Sequence, residues 1–269
     1  MSKIYFFGDT HGEIDIDKIF MPSYEKDDYI IVCGDFGVLW SDESGRYKQD
    51  AMLESEAKLK VRIQSLPCTL LFIDGNHENF NRLHALKQVK KFNANVGEYI
   101  KDKCFHLRRG QIYHIAEHHI FTMGGALSID RLRRREFLSW WKQEAISEKE
   151  LKEALWNMES YKDKIDIVVS HTCPESFLKP LSQQMYINHK LHDENPMKLE
   201  KIKEALEDNL QIPKHWICGH WHQDISFKVD TIDFNVLYYH CLCLDKEELK
   251  RLDFSEAIIK IKRDRRWGW

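Results

Sequence analysis

The chain reads as an α/β protein built on a parallel sheet with helices on its faces. Three observations carry that reading. Three short apolar runs, Ile4-Tyr5-Phe6-Phe7, Tyr29-Ile30-Ile31-Val32-Cys33 and Thr69-Leu70-Leu71-Phe72-Ile73, are continuous rather than alternating, as strands buried on both faces must be. Each run ends in a polar, glycine-containing loop: Gly8-Asp9-Thr10-His11-Gly12, Gly34-Asp35-Phe36-Gly37 and Asp74-Gly75-Asn76-His77-Glu78. Helical stretches lie between them. Ile16 to Phe20 predicts a short helix closed by Pro22, and Arg46 to Ser65 predicts an amphipathic surface helix with Met52, Leu53, Leu59 and Ile63 inward. Strand, loop and helix in repeated order predict a parallel sheet, whose ligands bind beyond the carboxyl ends of its strands.

The middle of the chain changes character. Gln111–Ile115 and His119–Met123 predict a two-stranded hairpin, followed by Gly124-Gly125-Ala126 and a basic aromatic segment from Ser128 to Trp141. Ser147 to Tyr161 predicts a helix opened by the capping box Ser147-Glu148-Lys149-Glu150. Ile165 to Ser170 is a further strand, with His171 at its end. Lys179 to Pro196 lacks periodicity and is expected to be a surface loop, after which Asn195 as cap and Pro196 at the first helical position open a helix to about Asn209. His215–Cys218 is a strand ended by Gly219-His220-Trp221-His222, and two or three more strands follow through Cys243. Residues 1–254 are expected to form one domain and 255–269 a basic, aromatic tail, whose end from Arg263 to Trp269 reads as a frayed terminus or as an RNA contact.

A formal net charge of −3 gives no global pull toward nucleic acid or anionic membranes. No stretch is apolar enough to span a bilayer, and the first residues enter a strand with no signal-peptide pattern. Seven cysteines, none in a C-x-x-C pair, read as reduced thiols packed in a cytoplasmic protein; Cys173, close to His171, is one of them.

Metal-type side chains at strand mouths are the informative feature. Aspartate brings a hard charged oxygen and neutral imidazole a nitrogen of borderline softness, so Asp9 with His11 suits a divalent transition metal better than Ca²⁺. The pattern recurs on five loops, giving seven candidate ligands: Asp9, His11, Asp35, Asn76, His171, His220 and His222. Seven exceed the needs of one tetrahedral site and suit two ions sharing a carboxylate bridge.

These motifs resemble the calcineurin-like metallophosphoesterase superfamily. Gly8-Asp9-Thr10-His11-Gly12, Gly34-Asp35, Gly75-Asn76-His77-Glu78, Ser170-His171 and Gly219-His220-Trp221-His222 stand in that superfamily's order, over most of the chain. The resemblance implies a four-layer α/β/β/α sandwich of two mixed sheets. It implies one divalent metal ion held by Asp9, His11, Asp35 and His222, and a second by Asp35, Asn76, His171 and His220, with Asp35 bridging. Mn²⁺ is the expected ion, with Fe²⁺ or Zn²⁺ as alternatives. His77 is implied not to ligate but to face the phosphate, protonating the leaving oxygen or steadying the transition state. The implied activity is hydrolysis of a phosphomonoester or phosphodiester by a metal-bridging hydroxide.

Within the superfamily, Phe36-Gly37-Val38-Leu39-Trp40 stands where protein phosphatases carry Asp-Arg-Gly. Cys33-Gly34-Asp35-Phe36 and Gly124-Gly125 leading to Asp130-Arg131 are similar to the lariat-debranching phosphodiesterases, which carry Cys where Asp9 stands. A nucleotide or RNA substrate is therefore the alternative, and a scaffold that kept the fold without the chemistry is the rival from another class. On the substrate side, Arg131 and Arg134, with Phe137, Trp140 and Trp141, read either as a phosphate-and-base platform or as an amphipathic helix with a solvated basic face. Glu78 is read as a carboxylate that orients the His77 loop.

Overall fold

A computed structural model describes residues 2–40, 50–185 and 193–266, without the side chains of 50–52 and 263–266. The first three apolar runs form β1 (Ile4–Phe7), β2 (Tyr29–Cys33) and β3 (Thr69–Ile73), with α1 (Asp50–Ser65) before the third. There follow α2 (Phe80–His84), β4 (Lys87–Lys91), β5 (Ala94–Ile100), β6 (Cys104–Leu107), β7 (Gln111–Ile115) and β8 (His118–Met123). The second half gives α3 (Glu148–Ser160), β9 (Ile167–Ser170), α4 (Glu175–Met185), α5 (Asn195–Asp208) and β10 (His215–Cys218). The chain then runs through β11 (Ile225–Val229), β12 (Ile232–Val236), β13 (Cys241–Asp245), β14 (Glu248–Leu252) and α6 (Ser255–Arg266).

Among the described residues these strands make two mixed sheets. One runs β14-β13-β1-β2-β3-β6-β5-β4, with β1, β2, β3 and β6 parallel and the flanks antiparallel. The other runs β11-β12-β10-β9-β8-β7, parallel from β12 to β8 with antiparallel edges. Strand alternation sorts the side chains into layers. Ile4, Phe6, Ile31 and Leu71 of the first sheet meet Ile120, Ile167, Val169 and Ile217 of the second in one core. Tyr5, Phe7, Ile30 and Phe72, on the opposite face, pack on Leu59 and Ile63 of α1. Phe121, Val168 and Trp216 pack on Leu151 of α3, Phe177 of α4 and Leu199 of α5. Helix, sheet, sheet, helix is the four-layer sandwich expected. No helix among the described residues is long and apolar enough to cross a membrane.

Four local expectations are corrected. Lys179 to Met185 is not loop: α4 runs through it, with Pro180 inside and Phe177 and Leu181 buried one turn apart. The segment Ser128 to Trp141 is not an amphipathic helix; it makes a 3-10 turn at Arg131–Arg133 and a bridge between Glu136 and Trp140. The terminus is not frayed over 263–266, because α6 runs from Ser255 to Arg266 and buries Ile258; Trp267 and Trp269 lie outside the described residues, as does Arg46. Asn195 does not cap α5 with its side chain, because its Oδ1 accepts from the Ile146 amide (2.7 Å). The capping box of α3 is present, with Ser147 and Glu150 exchanging hydrogen bonds.

Candidate metal centre

Every predicted ligand follows the carboxyl end of a parallel strand. Asp9 and His11 follow β1, Asp35 follows β2 and Asn76 follows β3 on one sheet. His171 follows β9 and His220 and His222 follow β10 on the other. The backbone takes unfavourable shapes to aim them: φ is 44° at His11, 46° at Asp35, 66° at His220 and 50° at His222. Non-glycine residues held in the left-handed region cost free energy and gather at functional sites. Glycines let the loops press together. A Cβ on Gly75 would stand 2.1 Å from Asp35 Oδ1, and one on Gly219 would stand 2.1 Å from Asp9 Oδ1.

The seven side chains converge around Asp35. Its Oδ2 lies 3.3 Å from His11 Nε2 and its Oδ1 lies 3.4 Å from His171 Nε2, so one carboxylate faces ligands of both proposed positions. Asn76 Oδ1 lies 3.2 Å from His171 Nε2 and 3.1 Å from His220 Nδ1. Asp9 Oδ2 lies 3.0 Å from His222 Nε2, and Asp9 Oδ1 accepts the His220 amide (2.8 Å). Two ligands each about 2.1 Å from a common ion are separated by about 3.0–3.4 Å in octahedral or tetrahedral geometry, so these spacings are those of coordination edges. Asp9 Oδ2 is also buried with no aligned hydrogen bond, although His222 is close, which leaves it a lone pair to give a cation. The donor set fits divalent metal.

Electrostatics agree. Burial alone would raise Asp35, yet His171 and His11 hold its carboxyl well below the usual range. Asp9 is likewise held down against burial by His222 and His171. Burial opposes protonation of His11 and His171, but hydrogen bonds to Asp15 and Asp35 carry His11 to about 10, and Asp35 carries His171 to about 9. Burial and the neighbouring His171 charge push His220 down to about 3. The carboxylates thus gather positive charge, and binding of a divalent ion would release those imidazole protons.

The surroundings orient the ligands. His171 Nδ1 faces the Cys33 carbonyl (2.9 Å), turning Nε2 toward Asp35 and Asn76. Asn76 Nδ2 donates to Ser128 Oγ (3.2 Å), and that hydroxyl donates to Glu144 (2.8 Å). Asp15 faces His11 Nδ1 (3.5 Å) and accepts the Tyr238 hydroxyl (3.1 Å). The buried amine of Lys18, pushed down to about 8 by burial, donates to the carbonyls of Asp9 and Tyr238. Of these supports, only Asp15 left a legible signal, its i,i+4 spacing from His11. Glu78 ties its own loop, which carries His77, to the loop of Asp35. Its buried carboxyl, raised well above the usual range by burial and by Asp35, accepts the Phe36 amide (2.7 Å), so it braces the loop of Asp35. Cys173 is a buried free thiol, as expected.

His77 lies beside the cluster, its amide donating to Asp35 Oδ1 (2.7 Å). Burial lowers the affinity of its ring for a proton, and the Arg134 charge adds to that effect against Asp35. Arg134 Nη1 lies 3.1 Å from His77 Nδ1. Arg131 sits in the neighbouring turn with its amide on Ser128 O (3.2 Å), and its charge is close enough to favour the Asp193 carboxylate against burial. A cavity of about 460 Å³ opens beside His11 and His77, lined by Ile14, Val38, Trp40 and Leu59.

The family model for calcineurin-like phosphoesterases matches residues 2–224. The chain belongs to this family. No curated protein matches it. Among solved structures, this calcineurin-like phosphoesterase is similar to a Staphylococcus aureus protein assigned as a 5′-nucleotidase, at 14% identity and a TM-score of 0.51. That match covers 98% of this chain and 58% of the other, so the chain spans little more than half the length of that relative. It is also similar to the phosphopantetheinyl hydrolase of Mycobacterium tuberculosis (13% identity, TM-score 0.45, 88% of this chain and 90% of that one). A third similarity is to an archaeal phosphodiesterase (13% identity, TM-score 0.42, 93% and 99%).

Proposed function

We propose that the chain is a dinuclear-metal-dependent phosphoesterase acting on a phosphomonoester or phosphodiester. The observation that carries this reading is the placement of Asp35 between His11 and His171, with Asn76, His220, Asp9 and His222 around it. In this reading Asp9, His11, Asp35 and His222 hold one ion and Asp35, Asn76, His171 and His220 the other. The ions, with Mn²⁺ first and Fe²⁺ or Zn²⁺ as alternatives, would acidify a water and clamp the oxygens of the phosphate. The protein's own part is to gather the anionic substrate over a neutralised cluster, with His77 facing the phosphate and hydrogen-bonding the charge that develops there. Arg131 supplies a cation for the remote part of the substrate, a nucleotide or RNA being the alternative class. Seven unpaired, buried cysteines suit a reducing, cytoplasmic setting.

A non-catalytic scaffold is disfavoured because none of the seven positions is lost and all converge. With Mn²⁺, the wild type should hydrolyse p-nitrophenyl or bis-p-nitrophenyl phosphate. Asp35→Ala and His171→Ala should each lose more than about 100-fold in kcat/KM. Full activity in both variants would sink the proposal.

A further inference from the structure

We propose that His114 and His119 form an outlying metal site, apart from the candidate metal centre, that takes a borderline divalent ion such as Zn²⁺. It does not depend on the phosphoesterase reading above.

The two histidines face each other across neighbouring strands. His114 of β7 is the direct antiparallel partner of His119 of β8, a placement that brings opposite Cβ atoms to about 4.5–5.5 Å. Both share a sheet face with Ile112 and Phe121, which pack toward the helix layer. This is the amino end of β8. Its carboxyl end, at Met123, pairs with Ser170, the residue before His171, so the pair lies away from the candidate centre.

The ring spacing is that of shared coordination. The His114 and His119 ring centroids are 4.9 Å apart. Two imidazoles bound to one ion through nitrogens about 2.1 Å away set their ring centres roughly 4.5–5.2 Å apart, from square-planar to tetrahedral angles. The histidine pairs assigned to a common ion at the candidate centre, His11 with His222 and His171 with His220, are each 5.0 Å apart.

His119 is prepared for the task. Its Nδ1 lies 3.0 Å from the Lys164 carbonyl. A carbonyl only accepts, so Nδ1 carries the hydrogen and Nε2 keeps a lone pair for a cation. A carbonyl behind the ring is the usual support of a metal-bound histidine. The ring is further held edge-on to Tyr161, just past α3 (centroids 5.5 Å), and the His119 amide donates to Asp166 Oδ2 (2.8 Å). On the other side, the His114 amide donates to the Phe92 carbonyl (3.0 Å), which fixes its strand, while its side chain is exposed. Water therefore has access to complete the coordination. Two imidazoles without a carboxylate suit Zn²⁺, Ni²⁺ or Cu²⁺; Mn²⁺ and Mg²⁺ favour oxygen donors. The site should thus separate from the carboxylate-rich centre by its choice of ion.

The test is equilibrium dialysis of the full chain against Zn²⁺, and separately against Mn²⁺, read by elemental analysis. The wild type should hold one more Zn²⁺ than either His114→Ala or His119→Ala, and all three should hold the same amount of Mn²⁺. Each variant should weaken Zn²⁺ at this site by more than about tenfold, since loss of a supporting contact alone costs that much. The same difference should separate His171→Ala from His171→Ala/His119→Ala, so a failure of the candidate centre and a failure of this pair are told apart. Long-range ¹H–¹⁵N correlation, assigned by signal loss in each variant, should show the zinc-free His119 ring protonated at Nδ1 and its Nε2 signal shifting when Zn²⁺ is added. Equal Zn²⁺ uptake by the wild type and both variants overturns the proposal. So does a zinc-free His119 ring that carries its hydrogen on Nε2.

Discussion

Asn76 points its amide oxygen at His171 and His220 because its amide nitrogen is given to Ser128, whose hydroxyl is in turn held by Glu144. Removing that hydroxyl lets the amide rotate and present nitrogen to the site. Ser128→Ala should therefore weaken Mn²⁺ binding by about 10–100-fold at one of two calorimetric sites while leaving the unfolding midpoint nearly unchanged. Equal loss at both sites, or at neither, would show that Ser128 does not set the amide. A second residue-scale prediction concerns Arg109. Its buried guanidinium binds Asp74 (2.6 and 2.8 Å) and the carbonyls of Gln143, Glu144 and Ala145, so it fixes the segment that carries Glu144. Burial would raise Asp74, but Arg109 and then His106 hold its carboxyl below the usual range. A carboxyl depressed in the native state stabilises above its unfolded pKa of about 3.9, and that stability is lost as pH falls through the lower native value. Arg109→Ala should cost about 3–5 kcal/mol at neutral pH in chemical denaturation, with the deficit shrinking toward acid pH as Asp74 protonates.

At the scale of elements, the legible parts were those in which one physical demand dominates. Buried parallel strands must be apolar throughout, so β1, β2 and β3 stood out, and each stopped where a charged ligand and a glycine began. The capping box announced α3 in the same way. Edge elements carried no such demand. β4, Lys87–Lys91, is largely exposed and charged, so the sequence reading left it without an element. Pro180 hid α4, and tertiary contacts rather than local periodicity shape the stretch from Ser128 to Glu144. The ligand set was readable because each member follows a strand end, whereas Ser128, Glu144 and Arg109 act across distances that the primary order does not reveal. α6 lies in the stretch read as a basic tail, yet its Lys262 pairs with Asp15 (2.5 Å), the carboxylate behind His11, and sits over the Tyr238 ring that stacks on His222. Lys262→Ala should lower Mn²⁺ affinity at the position of His11 and His222 by about tenfold, read by metal titration. An unchanged isotherm would make that contact incidental.

At the scale of the molecule, the two sheets pack face to face and turn their carboxyl edges to the same end. Asp9, His11, Asp35 and Asn76 come from one sheet and His171, His220 and His222 from the other, so the site exists only when both sheets are assembled. The buried carboxylates of Asp9 and Asp35 repel one another there, and bound cations would relieve that repulsion while stabilising the native state by mass action. Crystals of the full chain grown with Mn²⁺ and measured for anomalous scattering test this most directly. The account predicts two peaks about 3.5–4 Å apart, both within bonding distance of Asp35. A single ion, or two ions of which Asp35 touches only one, would contradict it.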